Sequence, residues 1–273
     1  YIDHIPVIMI SAETSSVYID HAYDLGAAEY ISRPFDEKTV KRRVKNTIML
    51  YAKQKYLENM VTEQLLEKEK NNLVMVEILS HIVEFRNGES GLHVMHIRVI
   101  TETLLKQLCR MTDRYNLTPE QIAMISNASA LHDIGKISIP ESILNKPGKL
   151  TPQEYEIIKT HSAIGAEMLE KIHYFETEKL VQVARDICRW HHERYDGRGY
   201  PDGLKGEEIP ISAQVVSLAD VYDALVSVRV YKAAYTHEEA MQMIFNGECG
   251  AFNPLLLECL KEAGPTLKKE LKV

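Results

Sequence analysis

The sequence predicts a mainly α-helical protein, in which an all-helical C-terminal region follows a long linker helix and a short α/β fragment. Three observations predict this fold class. Residues 88–273 carry apolar residues at helical spacing between short loops that contain glycine or proline. Residues 35–87 contain neither glycine nor proline, which favours one or two long helices. The first 35 residues combine two β-branched runs with one helical stretch.

Two short strands are predicted near the start of the chain, with a helix between them. The run IPVIMI at residues 5–10 is apolar and β-branched, as is typical of a strand buried in a parallel sheet. A helical stretch follows and ends near Gly26. Residues 27–35 form the second short run, which is interrupted by Pro34. Two strands cannot form a doubly wound sheet alone, so we expect either a truncated piece of a larger domain or a fragment that packs against something else.

The same segment resembles the last part of a response-regulator receiver domain. In that family a Ser or Thr ends the fourth strand, here Ser11, and an aromatic residue lies in the fifth, here Tyr30. A Lys-Pro pair closes that strand in the family, whereas this chain has Arg33-Pro34. The resemblance implies that residues 1–36 are the C-terminal part of a receiver domain. It places the strands that carry the phosphoacceptor aspartate before Tyr1, and it implies a histidine kinase as partner.

The linker helix is predicted over residues 37–80. Its apolar residues recur at spacings of three, four and six, and the heptad pattern is imperfect around residues 53–55. One interpretation is a signalling helix that pairs with its twin in a homodimer. The other is a helix that lies on the C-terminal domain. The apolar positions are Val40, Val44, Ile48, Tyr51, Leu57, Val61 and Leu65.

The third region, residues 81–273, is predicted to be one all-helical domain. Thr151-Pro152 with Glu154 is a capping signal, because proline is tolerated in the first turn of a helix. The segments with helical spacing are 97–111, 119–133, 152–172, 177–192 and 211–228.

Composition excludes several classes of function. The chain has 273 residues, 45% hydrophobic and 26% charged, as in ordinary soluble proteins. Its net charge of −7 argues against binding to long nucleic acids, which requires a basic surface. No apolar run is long enough to span a membrane. The four cysteines are scattered without a CxxC pair, so we expect them to stay reduced in the cytoplasm.

Acids and histidines within apolar stretches are candidate metal ligands. His132-Asp133 is predicted to close an apolar helix, and Asp220 lies in the apolar run VVSLADV. His161 has helical spacing with Ile157, Ile164 and Met168. Each has an ordinary structural explanation alone, since a lone buried histidine is more often a hydrogen-bonded core residue. Together, such groups on several helices would leave too many buried polar atoms unsatisfied without metal.

These residue types favour a cluster of two or three divalent ions. Mixed histidine and carboxylate ligands without cysteine suit iron, manganese or zinc better than calcium. Glu89 and His93 are four apart and would share one face of a helix, although Gly91 weakens that helix. His191 and His192 complete the set. Such clusters stabilise both the attacking and the leaving oxygen in phosphoester cleavage.

The segment HHERYDGRGYPDG at residues 191–203 joins a metal-binding pair to a glycine-rich loop. Its glycines alternate with Tyr195, Arg198 and Tyr200, so a tight loop can bring an aromatic ring and a guanidinium close to a flat anionic ligand. With HDIGK at residues 132–136, LNKPGKL at 144–150 and HHE at 191–193, this segment resembles the HD-GYP family. The motifs occur in the family's order, and the resemblance covers residues 83–254. It implies an HD-superfamily fold and hydrolysis of cyclic di-GMP to pGpG, GMP or both, with iron or manganese as the expected metal.

The resemblance also assigns residues. Asp133 and Lys136 would be catalytic, with Lys136 facing the scissile phosphate. The acid at Glu89 is typical of members that hold three metals rather than two. The implied metal ligands are Glu89, His93, His132, Asp133, His161, His191, His192 and Asp220. The implied substrate-binding residues are Lys136, Gly199, Tyr200, Arg229 and Lys232, with Tyr200 near a guanine.

Five further residues are assigned outside the ligand set. Asp223 and Glu193 are expected to orient other groups rather than to bind metal, and His96 is expected to be structural. Gln214 stands where the family usually has arginine, and Asn253 stands where it usually has aspartate. Because neither of these two departures falls on an implied ligand, we expect them to tune the site and not to inactivate it.

Two alternative functions remain open from the sequence. One is a catalytically weak cyclic di-GMP sensor or adaptor, whose GYP surface docks a diguanylate cyclase and binds nucleotide without turnover. The other is a hydrolase of a related nucleotide, such as cyclic GMP-AMP or (p)ppGpp. The complete ligand set argues against a pure sensor, because binding alone does not need eight metal ligands.

Overall fold

Helices make up most of the residues that the computed structural model describes, which are 5–86, 92–227 and 234–272. The predicted mainly α-helical fold is therefore confirmed. The chain divides into two units, Tyr1–Asn72 and Leu73–Val273. The candidate site residues that the structure describes all belong to the second unit.

The first unit contains a two-stranded parallel sheet. Strand β1, Ile8–Ser11, is followed by helix α1, Ser16–Asp24, and strand β2, Glu29–Ser32. Ile8 lies opposite Glu29 and Ser11 opposite Ser32. Each strand is shorter than the predicted run, because the paired residues are Ile8–Ser11 and Glu29–Ser32.

Helix α2, Glu37–Arg86, is a single helix of 50 residues. It continues without a break because no glycine or proline interrupts it. Asp36 accepts a hydrogen bond from the backbone N–H of Thr39 at 2.8 Å, which satisfies one free donor of the first turn. From Leu73 onward the helix belongs to the second unit, where Ser80, Val83 and Glu84 are buried.

Helices are the regular secondary structure of the second unit, within its described residues. The helices are α3 (Leu92–Met111), α4 (Pro119–Ser129), α5 (Glu141–Leu144), α6 (Pro152–Glu170), α7 (Lys179–Trp190), α8 (Ile211–Val226), α9 (His237–Phe245) and α10 (Pro254–Leu271). Two short 3-10 helices, Ile134–Ser138 and Gly206–Glu208, lie between them. The sequence locates the starts of α4, α6 and α8 correctly, and α6 begins with the predicted capping box of Thr151 and Glu154.

The core of this unit surrounds α8, which packs against α3 and α7. Leu104 of α3 and Val215 and Leu218 of α8 are fully buried. Each such side chain contributes roughly 1.5–3 kcal/mol of transfer free energy. Helix α6 packs on α7 and on the 3-10 helix Ile134–Ser138. This packing brings the start of α3, the turn after α4, the middle of α6, the end of α7 and the inner part of α8 to one region.

No helix within the described ranges combines the length and apolar character that crossing a membrane requires.

Candidate metal centre

His132 and Asp133 lie in a turn, not at the end of a helix as the sequence predicts. Helix α4 ends at Ser129, and the 3-10 helix begins at Ile134. His132 causes part of this change, because its Nδ1 and its backbone N–H both bond the carbonyl of Ser129, at 2.9 and 3.2 Å. Helical carbonyls near a C-terminus need such donors. The turn directs Nε2 of His132 and the carboxylate of Asp133 into the protein.

One cluster of possible ligands contains Asp133, His161, His191 and His192, whose ligand atoms all lie within 4.8 Å of one another. His161 comes from α6, and the two adjacent histidines follow the end of α7. Nε2 of His161 is 3.2 Å from Oδ1 of Asp133, and Nε2 of His191 is 3.9 Å from the same oxygen. The carboxylate thus faces two imidazoles from different helices.

A second cluster contains His93 from α3, His132, and Asp220 from α8. Nε2 of His93 is 3.7 Å from Oδ1 of Asp220. His132 connects the two clusters, because its Nε2 is 3.2 Å from Oδ2 of Asp133. The structure therefore brings seven of the eight predicted ligands together. The eighth, Glu89, lies outside the described residues.

The histidines are held so that Nε2 faces the clusters. A carbonyl oxygen only accepts, so each Nδ1 that contacts one must carry the proton. Nδ1 of His161 donates to the carbonyl of Ile158 at 2.7 Å, and Nδ1 of His191 donates to that of Ile187 at 2.9 Å. A neutral imidazole with its proton on Nδ1 has its Nε2 lone pair available to a metal.

The prediction that His161 shares a buried apolar face with Ile157, Ile164 and Met168 is wrong in part. His161 is 1% exposed, whereas Ile157 is 40% and Met168 37% exposed. The buried side of α6 instead carries Ser162, Gly165 and Ala166. Small residues face inward here because α6 lies against the 3-10 helix, where a Cβ atom on Gly135 would overlap the carbonyl oxygen of His161. The glycine of HDIGK thus allows the approach of Asp133 to His161.

Burial and neighbouring charges shift the pKa values of these groups. Burial alone would lower the pKa of His132, but Asp133 and Asp220 outweigh it and raise that pKa to about 9. Burial lowers the pKa of His191 to about 3, and the nearby His132 adds to this effect. Burial would raise the pKa of Asp133, yet Lys136 and His132 hold it well below its usual range. Asp133 is therefore an anion.

These residues fit divalent metal ions. Nε2 of His132 and Oδ1 of Asp133 are buried and have no hydrogen-bond partner among the residues that the structure describes. Burying such atoms without a partner is costly unless a ligand satisfies them. The donor set is nitrogen and carboxylate oxygen without sulfur, which suits iron, manganese or zinc.

Two residues that the sequence predicts to orient other groups lie beside the clusters. Asp223 is fully buried, and its carboxylate accepts hydrogen bonds from Nδ1 of His93 at 2.6 Å and from Nδ1 of His96 at 2.7 Å. His96 belongs to neither cluster. Oε1 of Glu193 accepts from the backbone N–H groups of Asp202 and Gly203 at 2.7 and 2.9 Å. Glu193 therefore holds the glycine-rich loop and belongs to neither ligand cluster.

The predicted substrate-binding residues fall into two groups. Nζ of Lys136 is 2.5 Å from Oδ2 of Asp133, at the edge of the first cluster. The ring of Tyr200 lies against His192, with centroids 4.7 Å apart. Gly199 packs on the backbone of the HHE segment, where an added Cβ would overlap Cα of Glu193. Arg229 and Lys232 lie outside the described residues.

Sequence reasoning missed two charged residues beside the site. Nζ of Lys159 lies 5.2 Å from the centre of the Tyr200 ring. Lys159 precedes the candidate ligand His161 by two residues on α6, which is the sequence feature that could have identified it. Glu84 is 5% exposed and lines a small cavity with His132 and Asp133. Its helix is so long that an acid on its buried side is not distinguishable by pattern from the many acids on its exposed side.

The two departures from the family pattern contact each other. Nδ2 of Asn253 donates to Oε1 of Gln214 at 2.9 Å, and Nε2 of Gln214 donates to the carbonyl of Ile209 at 2.7 Å. Both side chains are 5% exposed. A neutral pair thus stands where the family resemblance implies an arginine and an aspartate.

Comparison with known proteins gives a family and several relatives. The profile of the family described as HD domain matches residues 74–249. A Vibrio cholerae protein named probable cyclic di-GMP phosphodiesterase is 37% identical over 94% of this chain and 60% of its own length. The cyclic di-GMP phosphodiesterase response regulator RpfG of Xanthomonas campestris is 33% identical over 94% of this chain and 67% of its own length.

A further relative from Vibrio cholerae is named 3'3'-cGAMP-specific phosphodiesterase 2. It is 40% identical over 69% of this chain and 34% of its own length. The chain thus spans between about a third and two thirds of the length of these three relatives.

Proposed function

This chain belongs to the HD-domain family, and we propose that it is a metal-dependent phosphodiesterase that hydrolyses cyclic di-GMP to pGpG, GMP or both. The observation that carries the proposal is the pair of ligand clusters joined at His132 and Asp133, with Lys136 at their edge. Two relatives whose names include cyclic di-GMP phosphodiesterase support the choice of substrate.

We assign one metal ion to Asp133, His161, His191 and His192, and a second to His93, His132 and Asp220. Glu89 would hold a third, and iron or manganese is the proposed metal. When bound, such ions lower the pKa of a coordinated water and neutralise negative charge on the phosphate.

The protein's own residues would orient the substrate beside these ions. Lys136 would donate to an oxygen of the scissile phosphate and stabilise the charge that develops there. Asp133 holds the Lys136 ammonium at 2.5 Å and so fixes its position. Arg229 and Lys232 would bind phosphate oxygens, and Tyr200 on its loop would lie near a guanine.

The test is hydrolysis of cyclic di-GMP by protein purified without oxygen and loaded with iron or manganese. His132→Ala and Asp133→Ala should each lower turnover by about 1,000-fold or more and reduce the bound metal, because each removes a ligand at the junction of the clusters. His173→Ala, at an exposed histidine outside the clusters, is the matched control and should keep wild-type turnover.

Wild-type turnover by either junction variant would contradict the proposal. Nucleotide binding by the metal-loaded wild type without any turnover would instead support the sensor or adaptor function, with a diguanylate cyclase as its partner.

A second candidate substrate is 3'3'-cyclic GMP-AMP, because one relative at 40% identity is named for that specificity. Assays of both cyclic dinucleotides at equal concentration separate the two. We expect the higher kcat/KM for cyclic di-GMP.

We also propose a signalling context. Residues 1–36 would be the end of a receiver domain, residues 37–80 a signalling helix, and residues 81–273 the output domain of a cytoplasmic response regulator that a histidine kinase controls. The relative named as a response regulator supports this. Exposed apolar side chains on α2, including Leu50, Leu57 and Val61, support a homodimer through that helix.

A further inference from the structure

Arg86, the last residue of α2, binds the backbone of the segment that carries Lys136. Its Nη1 donates to the carbonyl of Ile137 and, at 3.4 Å, to that of Lys136. Its Nη2 donates to the carbonyl of Ile139 at 2.9 Å. One guanidinium therefore contacts three carbonyls within four consecutive residues, about fifty positions further along the chain.

The local sequence explains why these carbonyls need an outside donor. In a 3-10 helix, each carbonyl accepts from the N–H three residues later, as that of Lys136 does from Ile139 at 3.1 Å. The carbonyl of Ile137 would accept from residue 140, which is proline and has no N–H. Arg86 supplies the missing donor and places a positive charge at the negative end of the helix.

The same short helix connects two functional groups. Asp133 precedes its first residue, and Lys136 lies at its centre. The backbone N–H of Lys136 donates to the carbonyl of Asp133 at 2.9 Å, and their side chains are also paired. The direction of the Lys136 side chain thus depends on the conformation of a segment whose C-terminal half is fixed by Arg86.

We propose that Arg86 is a positioning residue that holds residues 136–139 so that the Lys136 ammonium faces the scissile phosphate. The inference rests on the proposed function. The planar guanidinium suits this role because its two Nη groups bond neighbouring carbonyls at once. An ammonium would keep the charge but not the fixed geometry, so Arg86→Lys should recover only part of the effect of Arg86.

The experiment compares Arg86→Gln and Arg86→Lys with the matched control Arg110→Gln, at an exposed arginine of α3. We expect kcat/KM for cyclic di-GMP to fall about 10- to 100-fold in Arg86→Gln, mainly through kcat, and less in Arg86→Lys. Metal content should stay at the wild-type level, because the Arg86 guanidinium donates to the backbone carbonyls of residues 136, 137 and 139 and not to the side chain of a ligand. The control should match the wild type.

A second readout separates positioning from a general structural role. If Arg86 acts through Lys136, Arg86→Gln should cost little further activity in a Lys136→Ala background, since the group that it positions is already absent. An equal loss in both backgrounds would overturn the inference. Where Arg86→Gln does not fold, the same comparison is made with Arg86→Lys.

Amide hydrogen exchange tests the same contact without catalysis. The amides of Lys136 and Ile139 bond within the 3-10 helix and should exchange faster in Arg86→Gln than in the wild type. Unchanged exchange with unchanged kcat/KM would refute the inference. If the wild type itself does not hydrolyse the nucleotide, the proposed function fails, and the exchange rates alone decide whether Arg86 holds the segment.

Discussion

Asp223 illustrates how a residue outside the ligand clusters controls one that is inside. One carboxylate oxygen accepts a hydrogen bond from Nδ1 of His93. The other oxygen accepts from Nδ1 of His96 and from the hydroxyl of Ser227. These bonds hold the pKa of Asp223 below its usual range, although burial opposes the shift. The anionic carboxylate fixes the His93 ring so that Nε2 faces Asp220. Such orienting carboxylates also make the imidazole a stronger ligand.

Asp223→Asn should weaken metal binding about 10- to 100-fold. An amide has one acceptor oxygen for two imidazole N–H groups, so one histidine must lose its acceptor or change tautomer. Metal titration of protein stripped of metal measures the loss. Asp113→Asn, at an exposed acid, is the control and should bind metal as the wild type does. Equal affinities for the two variants would show that Asp223 does not orient His93.

At the scale of elements, the Gln214–Asn253 hydrogen bond joins α8 to the start of α10. Oδ1 of Asn253 accepts from the backbone N–H of Leu255 at 3.0 Å and so caps α10, while its Nδ2 also contacts Glu207 at 3.4 Å. Each side chain is nearly excluded from water. A charge introduced on one side alone would therefore be buried without its partner.

Asn253→Asp alone should lower the free energy of unfolding by about 3 kcal/mol. The new carboxylate would face Glu207, and it would have no N–H group to donate to Gln214. Adding Gln214→Arg should restore at least about 1 kcal/mol, since the guanidinium would pair with that carboxylate. Urea unfolding of the wild type, both single variants and the double variant gives the coupling energy. Strict additivity of the two single effects would show that the positions are not coupled.

At the scale of the whole molecule, burial is concentrated in the second unit. Its hydrophobic core runs from Ile97 to Leu271, whereas the buried hydrophobic residues of the first unit are Ala22, Tyr30 and Ile31 among those described. A two-stranded sheet with so little buried apolar area is marginal by itself. The second unit also holds both ligand clusters.

A protein of residues 73–273 should therefore fold and bind metal as the full chain does, with hydrolysis retained within a few-fold. Residues 1–72 alone should show little cooperative unfolding. Circular dichroism with thermal unfolding and metal analysis of the two fragments are the measurements. Failure of residues 73–273 to fold would show that the first unit contributes stability that its own buried residues do not explain.

The sequence by itself determined the helical fold class, the long helix α2 and the residue types that form the ligand clusters. These depend on features that are local in the chain: apolar periodicity, the capping box at Thr151, and acids or histidines among apolar neighbours. Such signals act over one or two helical turns, so they can be identified without knowing which helices meet.

Only the tertiary structure decided how the candidate site is built. Helix α4 ends at Ser129, whose carbonyl accepts a hydrogen bond from His132, and the apolar run around His132 did not indicate this end. Asp223 bonds His93 across 130 positions of the chain, and Gln214 bonds Asn253 across 39 positions. Arg86 bonds the carbonyl of Ile137 across 51 positions. Contacts at such separations depend on helix packing, which no local pattern of residues specifies.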